Sequence, residues 1–401
     1  MLAGRKYRAY MEDGQKEYAD TIGSVCRSVW NTALEQRRAY RRRGAYINYR
    51  EQAHELAEAK QEFPWLRDVP GHCLQQALMD LDKACRTHGT WKVRWRGKGG
   101  RHSWAPAFRF PEGKTIRVER IGRKWGRARL PKIGWVKFRW SRSLGGAVRS
   151  ATLKRDGRHW WISFLVETGE PEKTVSLERG RVGIDRGVVQ AVATSEGRFF
   201  DRAFLTEGER RRLLRLERQR ARRMLGSKRR EACKAQIAAI RRRERDRRRD
   251  FCAQTAAAVV SGNALVVLEA LNTRNMTSSA KGTTKEPRRN VAQKRGLNRA
   301  ILAKGWHALE LAVRNKARST GTAVITVNPA YTSLTCPKPG CGHVHTDNRE
   351  SQAKFLCTTC GHREHADIVG AKNTLARGHS GHRAWRPRGC PVDEAPTSGN
   401  P

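Results

Sequence analysis

The chain has 401 residues, and its 82 lysine and arginine residues against 38 aspartate and glutamate residues give a formal net charge of +44. So large a positive excess predicts a nucleic-acid partner, because the binding of a phosphate backbone releases counterions. No stretch of 18 apolar residues is present, and the basic start MLAGRKYRAY lacks an apolar signal segment. These features predict a protein of the prokaryotic cytoplasm or nucleoid with no membrane association. A solvated basic surface or a histone-like packing protein is the alternative.

Three helices are predicted in the first part of the chain. Apolar residues recur at three- and four-residue steps over residues 18–43, 49–61 and 72–86, which is the spacing of one helix face. The first helix also carries basic and aromatic side chains that we take as candidate nucleic-acid contacts. These are Arg27, Trp30, Asn31, Arg37 and Arg38.

Residues 91–167 alternate between apolar and polar side chains in short segments such as WVKFRW and HWWISFLVE. This period predicts short strands, which we interpret as a small β-barrel. Eight of the 12 tryptophans lie here among arginine and lysine residues, a mixture that suits base stacking combined with phosphate contact. Packing of the same rings in the barrel core is the alternative. The candidate contacts are Trp91, Trp95 and Trp104.

A strongly basic helical region follows three predicted strands in residues 180–200. Between residues 210 and 249, 19 of 40 residues are basic and four are acidic, and an apolar seam breaks at Gly226 and Ser227. We predict a helical hairpin over residues 205–250 that lies along a duplex, because like charges at this density repel one another without a polyanion. A solvated charged coiled coil is the alternative. The candidate contacts are Arg211, Arg215, Arg222, Arg223, Arg241 and Arg245.

Strands and helices alternate in the last third of the chain. The apolar runs ALVVLE at 264–269 and AVITV at 323–327 are predicted to be strands, the first of them buried. A single helix is predicted between them, over residues 297–319. Residues 379–401 carry glycine, proline and serine and are predicted to form a disordered tail.

Four cysteines have metal-ligand spacing. Cys336, Cys341, Cys357 and Cys360 form the pattern C-x4-C-x15-C-x2-C, and a glycine follows each pair. Two such turns can hold four thiolates around one Zn²⁺ ion, and four thiolates leave no open position for catalysis. The spacing therefore predicts one structural Zn²⁺ in a zinc ribbon.

Three acidic residues stand where metal-dependent chemistry would need them. Asp185 ends the strand in GIDRG, Glu269 ends the strand ALVVLE, and Asp367 opens an apparent helix in HADIVGAKN. Strand ends and a helix start can bring carboxylates together, and their hard oxygens favour Mg²⁺ or Mn²⁺. Two such ions can activate water and stabilise the leaving oxygen in phosphodiester cleavage. Taken singly, each acid fits a turn, an arginine partner or a helix cap equally well.

Together these features resemble the TnpB (OrfB) transposon proteins and their relatives, the compact type V CRISPR effectors. CRSVWNTALEQR and LQQALMDLDKA resemble the family's first helices, and GIDRGV, LVVLEAL and ADIVGAKN resemble its three RuvC motifs. Residues 328–362 resemble its inserted zinc ribbon from end to end. The resemblance covers nearly the whole chain.

The resemblance implies an RNA-guided, Mg²⁺-dependent endonuclease that cuts double-stranded DNA at one RuvC-like site, after recognition of a short motif beside the target. Asp185 would bridge the two metal ions, and Glu269 and Asp367 would complete the site. Arg349, in TDNRES, would lie near the scissile phosphate. The implied partners are a guide RNA and target double-stranded DNA, and a homodimer is left open.

The implied fold is an α+β multidomain chain with an RNase H-like RuvC nuclease core. A wedge domain would take its first strand from residues 1–15 and its β-barrel from 91–178, around a helical recognition lobe at 16–90. The nuclease core would span 179–330 and include the basic hairpin at 205–250. The zinc ribbon would follow at 331–363, the final helix of the core at 364–378 and the tail at 379–401.

The sequence departs from the family pattern beside two of the acids. Ala270 stands where the family has aspartate, and Val369 and Gly370 stand where it has asparagine and alanine. These departures leave open an alternative function, in which the protein binds DNA under RNA guidance and acts as a repressor with weak or no cleavage. A strand-transfer transposase, which also uses three acids on an RNase H-like core, is a further alternative.

Overall fold

A computed structural model of the chain describes residues 1–97, 103–169, 171, 179–280 and 289–382. The chain divides into two compact units, Met1–Pro171 and Glu172–Pro401, which we call the N-terminal unit and the C-terminal unit. Within the described ranges, no helix combines the length and the apolar character that a membrane span requires.

The N-terminal unit contains helices and one antiparallel sheet. Its helices are α1 (Asp13–Arg42), α2 (Tyr49–Glu62), α3 (Pro64–Arg67) and α4 (Gly71–His88). Its strands are β1 (Leu2–Tyr10), β2 (Ala107–Phe110), β3 (Arg117–Arg120), β4 (Trp125–Leu130), β5 (Gly134–Arg139), β6 (Ala147–Asp156) and β7 (His159–Glu167). The three helices predicted from periodicity are confirmed. Helix α1 begins earlier than predicted, where the backbone N–H of Glu12 donates to the Gln15 side chain at 3.3 Å, a capping contact.

The seven strands form an open sheet in the order β2-β6-β7-β1-β5-β4-β3, with β1 at its centre. The predicted closed β-barrel is therefore wrong for the described residues, because β2 and β3 lie at opposite edges and do not pair. Each edge strand has four residues, and α1 and α4 pack on β2. The helices thus cover part of the apolar face of the sheet, which in a closed barrel would face the interior. The helices and the sheet share one hydrophobic core. Residues 98–102, 170 and 172–178 of the predicted strand region lie outside the described residues.

The C-terminal unit alternates strands and helices. Its strands are β8 (Gly180–Asp185), β9 (Val192–Thr194), β10 (Phe199–Phe200), β11 (Asn263–Glu269), β12 (Ala323–Val327), β13 (Lys354–Leu356) and β14 (Arg363–His365). Its helices are α5 (Glu207–Arg222), α6 (Lys228–Val260), α7 (Thr273–Met276), α8 (Val291–Lys304), α9 (Trp306–Thr320) and α10 (Ala366–His382). The main sheet has the order β10-β9-β8-β11-β12. Strands β8, β11 and β12 run parallel, and β9 runs antiparallel to β8.

Helices cover both faces of this sheet. Val182 and Val266 belong to a core shared with α6 and α9, whereas Gly183 and Val267 face α10. This alternation follows from the two-residue period of a strand. It explains why β11 is buried at all seven positions, as its unbroken apolar sequence predicts.

Helices α5 and α6 form the predicted basic hairpin. Gly226 turns the chain with a φ of 82°, and the Ser227 hydroxyl caps α6 by accepting the Arg230 N–H at 3.3 Å. A small apolar cluster joins the two helices. Helix α6 continues past residue 250, the predicted end of the hairpin, because its last turns pack on the main sheet.

Two predictions near the C-terminus are wrong in part. The single helix predicted over 297–319 is divided into α8 and α9 by Gly305, which has a φ of 73°. This left-handed φ favours glycine, and a Cβ atom there would also lie 2.6 Å from Cδ of Arg248. Helix α10 runs to His382, so the first residues of the predicted tail are helical, and the rest of it lies outside the described residues.

Candidate active site and metal centre

Parallel pairing of β8 and β11 brings two predicted carboxylates to one edge of the sheet. Leu268 lies opposite Ile184 in the register, so Glu269 and Asp185 follow side by side at the carboxyl ends of the strands. Each of the two carboxyl groups affects the pKa of the other. Glu269 is 5% exposed, which makes its charge expensive to maintain without a partner.

Asp367 reaches the same edge from the first turn of α10. Helix α10 rests directly on β8, because a Cβ atom at Gly183 would lie 2.1 Å from the carbonyl oxygen of Ala371. The charge of Asp367 acts on Asp185. The fold therefore brings together three carboxylates that are separated along the sequence.

Burial disfavours the ionised form of all three acids, and neighbouring carboxylates add to this effect at Asp185. Burial first, and then the charges of Glu269 and Asp367, raise the pKa of Asp185 to about 8. Burial also raises the pKa of Glu269 and the pKa of Asp367. A cation among them would remove this repulsion, so the group has the electrostatic character of a cation site.

Two side chains hold Glu269 in place. The Thr332 hydroxyl donates to Oε1 of Glu269 at 2.9 Å. The guanidinium of Arg186 donates to the Glu269 backbone carbonyl and pairs with Glu310 at 3.3 Å. Because the Arg186 side chain is 1% exposed, this pairing lies inside the protein and fixes the end of β11.

Arg349 lies beside the carboxylates. Its Nη2 atom is 3.8 Å from Oδ1 of Asp367 and donates to the backbone carbonyl of Gln352 at 3.0 Å. The side chain keeps 29% of its surface exposed. The guanidinium is therefore anchored at one point and still reachable from solvent.

Sequence reasoning did not find three residues that support this site. They are Arg186, Thr332 and Asn373, whose amide donates to the carbonyls of Thr332 and Thr335 at 2.8 and 2.7 Å. Arg186 had a usable signal, since a charged residue directly after a buried strand needs an internal partner. Thr332 and Asn373 had none, because their contacts join distant parts of the chain.

The four cysteines form a compact cluster. Their sulfur atoms all lie within 4.8 Å of one another, and the pairs Cys336–Cys360 and Cys341–Cys357 are 3.6 and 3.7 Å apart. Tetrahedral coordination with Zn–S bonds of about 2.3 Å requires sulfur atoms about 3.8 Å apart. The residues present therefore fit one Zn²⁺ ion.

One of the departures from the family pattern has a packing explanation. Val369 is fully buried in a cluster with Phe355, Ala366 and the ribbon cysteines, so it joins α10 to the ribbon. A Cβ atom at Gly370 would make only an ordinary contact, 3.4 Å from Cγ of Asp185. Nothing in the structure explains the glycine at this position.

The candidate nucleic-acid contacts on α1 divide into buried and accessible residues. Arg37 is 3% exposed and donates to Gln52 and Asp82, both at 2.8 Å. Trp30 is 7% exposed and its indole N–H donates to the Arg94 carbonyl at 3.2 Å. Both residues hold the unit together, and their burial contradicts the predicted surface contact.

Other N-terminal candidates support the tryptophan-rich segment. Asn31 holds the backbone of Arg96 through hydrogen bonds of 3.0 and 2.9 Å. The guanidinium of Arg38 lies 5.0 Å from the Trp95 ring, and that of Arg96 lies 4.7 Å from the Trp104 ring. Trp91 is 57% exposed and remains available for stacking, and Arg27 is half-buried.

The candidates on the hairpin also differ. Arg211, Arg215 and Arg222 are exposed on α5. Arg241 pairs with Glu244 at 2.9 Å and with Glu217 at 3.3 Å. Arg223 donates to the Arg229 carbonyl at 2.6 Å, and Arg245 pairs with Asp246 at 3.2 Å. Intramolecular pairing therefore offsets part of the hairpin's charge.

The arrangement of elements is similar to that of a solved structure described as "Cryo-EM structure of the Cas12f1-sgRNA-target DNA complex". The TM-score is 0.51 at 13% sequence identity, and the match covers 94% of this chain and 98% of that chain. At this identity the likeness concerns the fold, which is a mixed α/β Cas12f-like fold with a four-cysteine cluster.

Sequence comparisons give the family. The models described as "Helix-turn-helix domain", "Probable transposase" and "Cas12f1-like, TNB domain" match residues 1–45, 163–280 and 306–374. "Putative RNA-guided DNA endonuclease InsQ" from Escherichia coli (strain K12) is 36% identical over 90% of this chain and 88% of that protein. A "Putative RNA-guided DNA endonuclease" from Streptomyces pristinaespiralis is 30% identical over 93% of this chain and 88% of that protein. The chain belongs to the TnpB (OrfB) family.

Proposed function

We propose that this protein is an RNA-guided DNA endonuclease that cuts double-stranded DNA by metal-dependent phosphodiester hydrolysis at one RuvC-like site. The observation that carries this proposal is the convergence of Asp185, Glu269 and Asp367 at one sheet edge, with a pKa of about 8 for Asp185. The names of its relatives in Escherichia coli and Streptomyces pristinaespiralis support the same activity. The strand order of the main sheet supports an RNase H-like core.

The donor set suits Mg²⁺ or Mn²⁺, which prefer hard carboxylate oxygens. Among the described residues, only the four cysteines form a group of three or more metal-binding side chains whose ligand atoms all lie within 4.8 Å. The three carboxylates are therefore more widely spaced than the cysteines, and Asp185, Glu269 and Asp367 would together hold the two divalent ions of the proposal. Two divalent cations would activate water and stabilise the leaving oxygen.

The protein side chains would divide the remaining work. Asp185 lies next to Glu269, and the charge of Asp367 acts on it, so Asp185 would hold the divalent cations together with these two acids. Thr332 and Arg186 would keep Glu269 in its productive orientation. Arg349 would neutralise the scissile phosphate, because its guanidinium is partly exposed beside Asp367.

A guide RNA and the target DNA would be held mainly through their backbones. In RNA-guided enzymes base pairing supplies the sequence specificity, and the protein grips the heteroduplex by charge and shape. The exposed arginines of α5 and the exposed Trp91 are the candidates for this contact. A charge of +44 is consistent with a large nucleic-acid footprint.

The proposal is tested with the protein co-purified with its own RNA, a guide-matched DNA duplex and Mg²⁺. The parent protein should cut the duplex, and Asp185→Ala should bind it without cutting. Glu196→Gln, at an exposed turn of the same unit, is the matched control and should cut normally. An Asp185→Ala protein that cuts as fast as the parent would refute the assigned site.

The same experiment separates the two alternatives. A guided repressor would bind the matched duplex and leave it intact at every Mg²⁺ concentration. A strand-transfer transposase would yield joined strands, whereas hydrolysis yields free ends. Either result would replace the endonuclease proposal.

A further inference from the structure

Tyr331 has an unusual backbone conformation in the segment between β12 and the zinc cluster. Its φ is 61°, in the left-handed region that bulky side chains seldom adopt. The side chain is nevertheless 65% exposed, so core packing does not account for its position. Strained conformations of this kind persist where function requires them.

The surrounding hydrogen bonds fix this conformation. The Tyr331 carbonyl accepts the backbone N–H groups of Leu334 and Thr335, each at 3.1 Å. Arg377 donates to the carbonyl of the preceding Ala330 at 2.5 Å. Asn373 binds the carbonyls of Thr332 and Thr335. The exposed ring therefore stands on a rigid support.

The segment that carries Tyr331 also reaches the carboxylates. The next residue, Thr332, is the one whose hydroxyl donates to Glu269, and consecutive Cα atoms are about 3.8 Å apart. The guanidinium of Arg377 lies close enough for its charge to act on Glu269. Aromatic side chains combined with cationic groups bind single-stranded nucleic acid.

We propose that the Tyr331 ring stacks on one unpaired base of the DNA strand that enters the carboxylate site. This inference rests on the proposed endonuclease function and specifies how the substrate strand is held for cutting. Stacking tolerates any sequence, because every base has a flat aromatic face. A guided enzyme needs such tolerance, since its guide and not its active site selects the target.

Three variants separate the effect of the Tyr331 ring from the effect of the backbone strain. Tyr331→Phe keeps the ring, whereas Tyr331→Gly and Tyr331→Asn remove it and tolerate the positive φ. In single-turnover cutting of a guide-matched duplex, the Gly and Asn variants should be slower by about 5- to 150-fold, the range expected for one stacked base. Tyr331→Phe should cut like the parent. The Gly and Asn variants should melt no lower than the parent, which excludes misfolding as the cause.

A scan with abasic sites identifies the stacked base. In the parent, one abasic position in the cleaved strand should slow cutting as much as Tyr331→Gly does, and that position should have no further effect in the variant. Cutting by Tyr331→Gly at the parent's rate would overturn the inference. So would abasic sites that slow cutting further in the variant at every position tested. A loss of guided binding without a slower cut would overturn it as well. A parent complex that cuts no matched duplex would refute the proposed function, and this inference with it.

Discussion

The pKa of Asp185 makes the stability of the protein depend on pH in the absence of Mg²⁺. The folded-state value of about 8 lies above the ordinary value of 3.8, so the folded state holds a proton that the unfolded state releases earlier. The free energy of unfolding therefore falls as pH rises between these two values. Above pH 8 the full cost of burying the ionised Asp185 carboxylate is present. Below the ordinary value both states are protonated and the penalty disappears.

Replacement of Asp185 by asparagine should remove this penalty. We expect Asp185→Asn to raise the melting temperature above pH 8 and to leave it nearly unchanged near pH 3.8, because asparagine has no charge to bury. Each 1 kcal/mol corresponds to about 2–4 °C for a unit of this size. Thermal melts across the pH range, without Mg²⁺ and with the exposed Glu196→Gln as control, would measure the effect. An equal rise at both ends of the range would contradict the electrostatic explanation.

Individual residues also show what sequence can and cannot predict about the site. Asp185 and Glu269 end apolar strands, and the parallel register then makes them neighbours. Their supports lie elsewhere in the sequence: Thr332 reaches Glu269 across 63 positions. Contacts of this length have no periodic signal, so only the folded chain reveals them.

At the scale of elements, the exposed face of α5 offers a test of nucleic-acid binding. Arg211, Arg215 and Arg222 are separated by four and seven residues, which places them on one side of the helix. Replacing all three with glutamine should weaken the binding of guide RNA, whatever the RNA sequence. It should also reduce the slope of log affinity against log salt by about 3, one for each lost phosphate contact.

Arg241→Gln is the matched control for this change. Arg241 already pairs with Glu217 and Glu244, so its removal should change the salt slope much less than removal of an exposed arginine. Fluorescence anisotropy with labelled RNA over a range of salt concentrations gives both slopes. Equal changes per residue would mean that the intramolecular pairs open on binding.

The zinc ribbon should affect cutting through the segment that joins it to Glu269. Thr332 lies four positions before Cys336, and Asn373 of α10 fixes that segment. A double Cys357→Ser, Cys360→Ser variant should lose zinc and cutting while it keeps guide-RNA binding. Thr332→Val, which leaves the cysteines intact, should slow cutting by about 10- to 100-fold, the usual effect of a group that orients a metal ligand. Metal analysis and single-turnover rates check both variants, and full cutting by the zinc-free protein would refute the link.

The elements also show where local patterns are insufficient. Alternation predicted the strands of the N-terminal sheet, but it carries no information on whether the first and last strands meet. The sheet is open, with β2 and β3 at its edges, and helices α1 and α4 pack on β2. Helical periodicity likewise continues through Gly305, but the backbone there is left-handed, with a φ of 73°, and this glycine ends α8.

At the scale of the whole molecule, each unit has a core of its own. Among the residues that the structure describes, one hydrophobic cluster occupies the N-terminal unit, and three others, including the one around the cysteines, occupy the C-terminal unit. The family resemblance implies a boundary between residues 178 and 179. The two compact units divide between Pro171 and Glu172.

Separate cores should give separate unfolding transitions. Calorimetry of the full chain should resolve two of them, and removal of Zn²⁺ should lower only the transition of residues 172–401, because all four cysteine ligands belong to that unit. The fragment of residues 1–171 should reproduce the transition that does not respond to zinc. A single transition that shifts as a whole on zinc removal would show that the two cores unfold as one cooperative body.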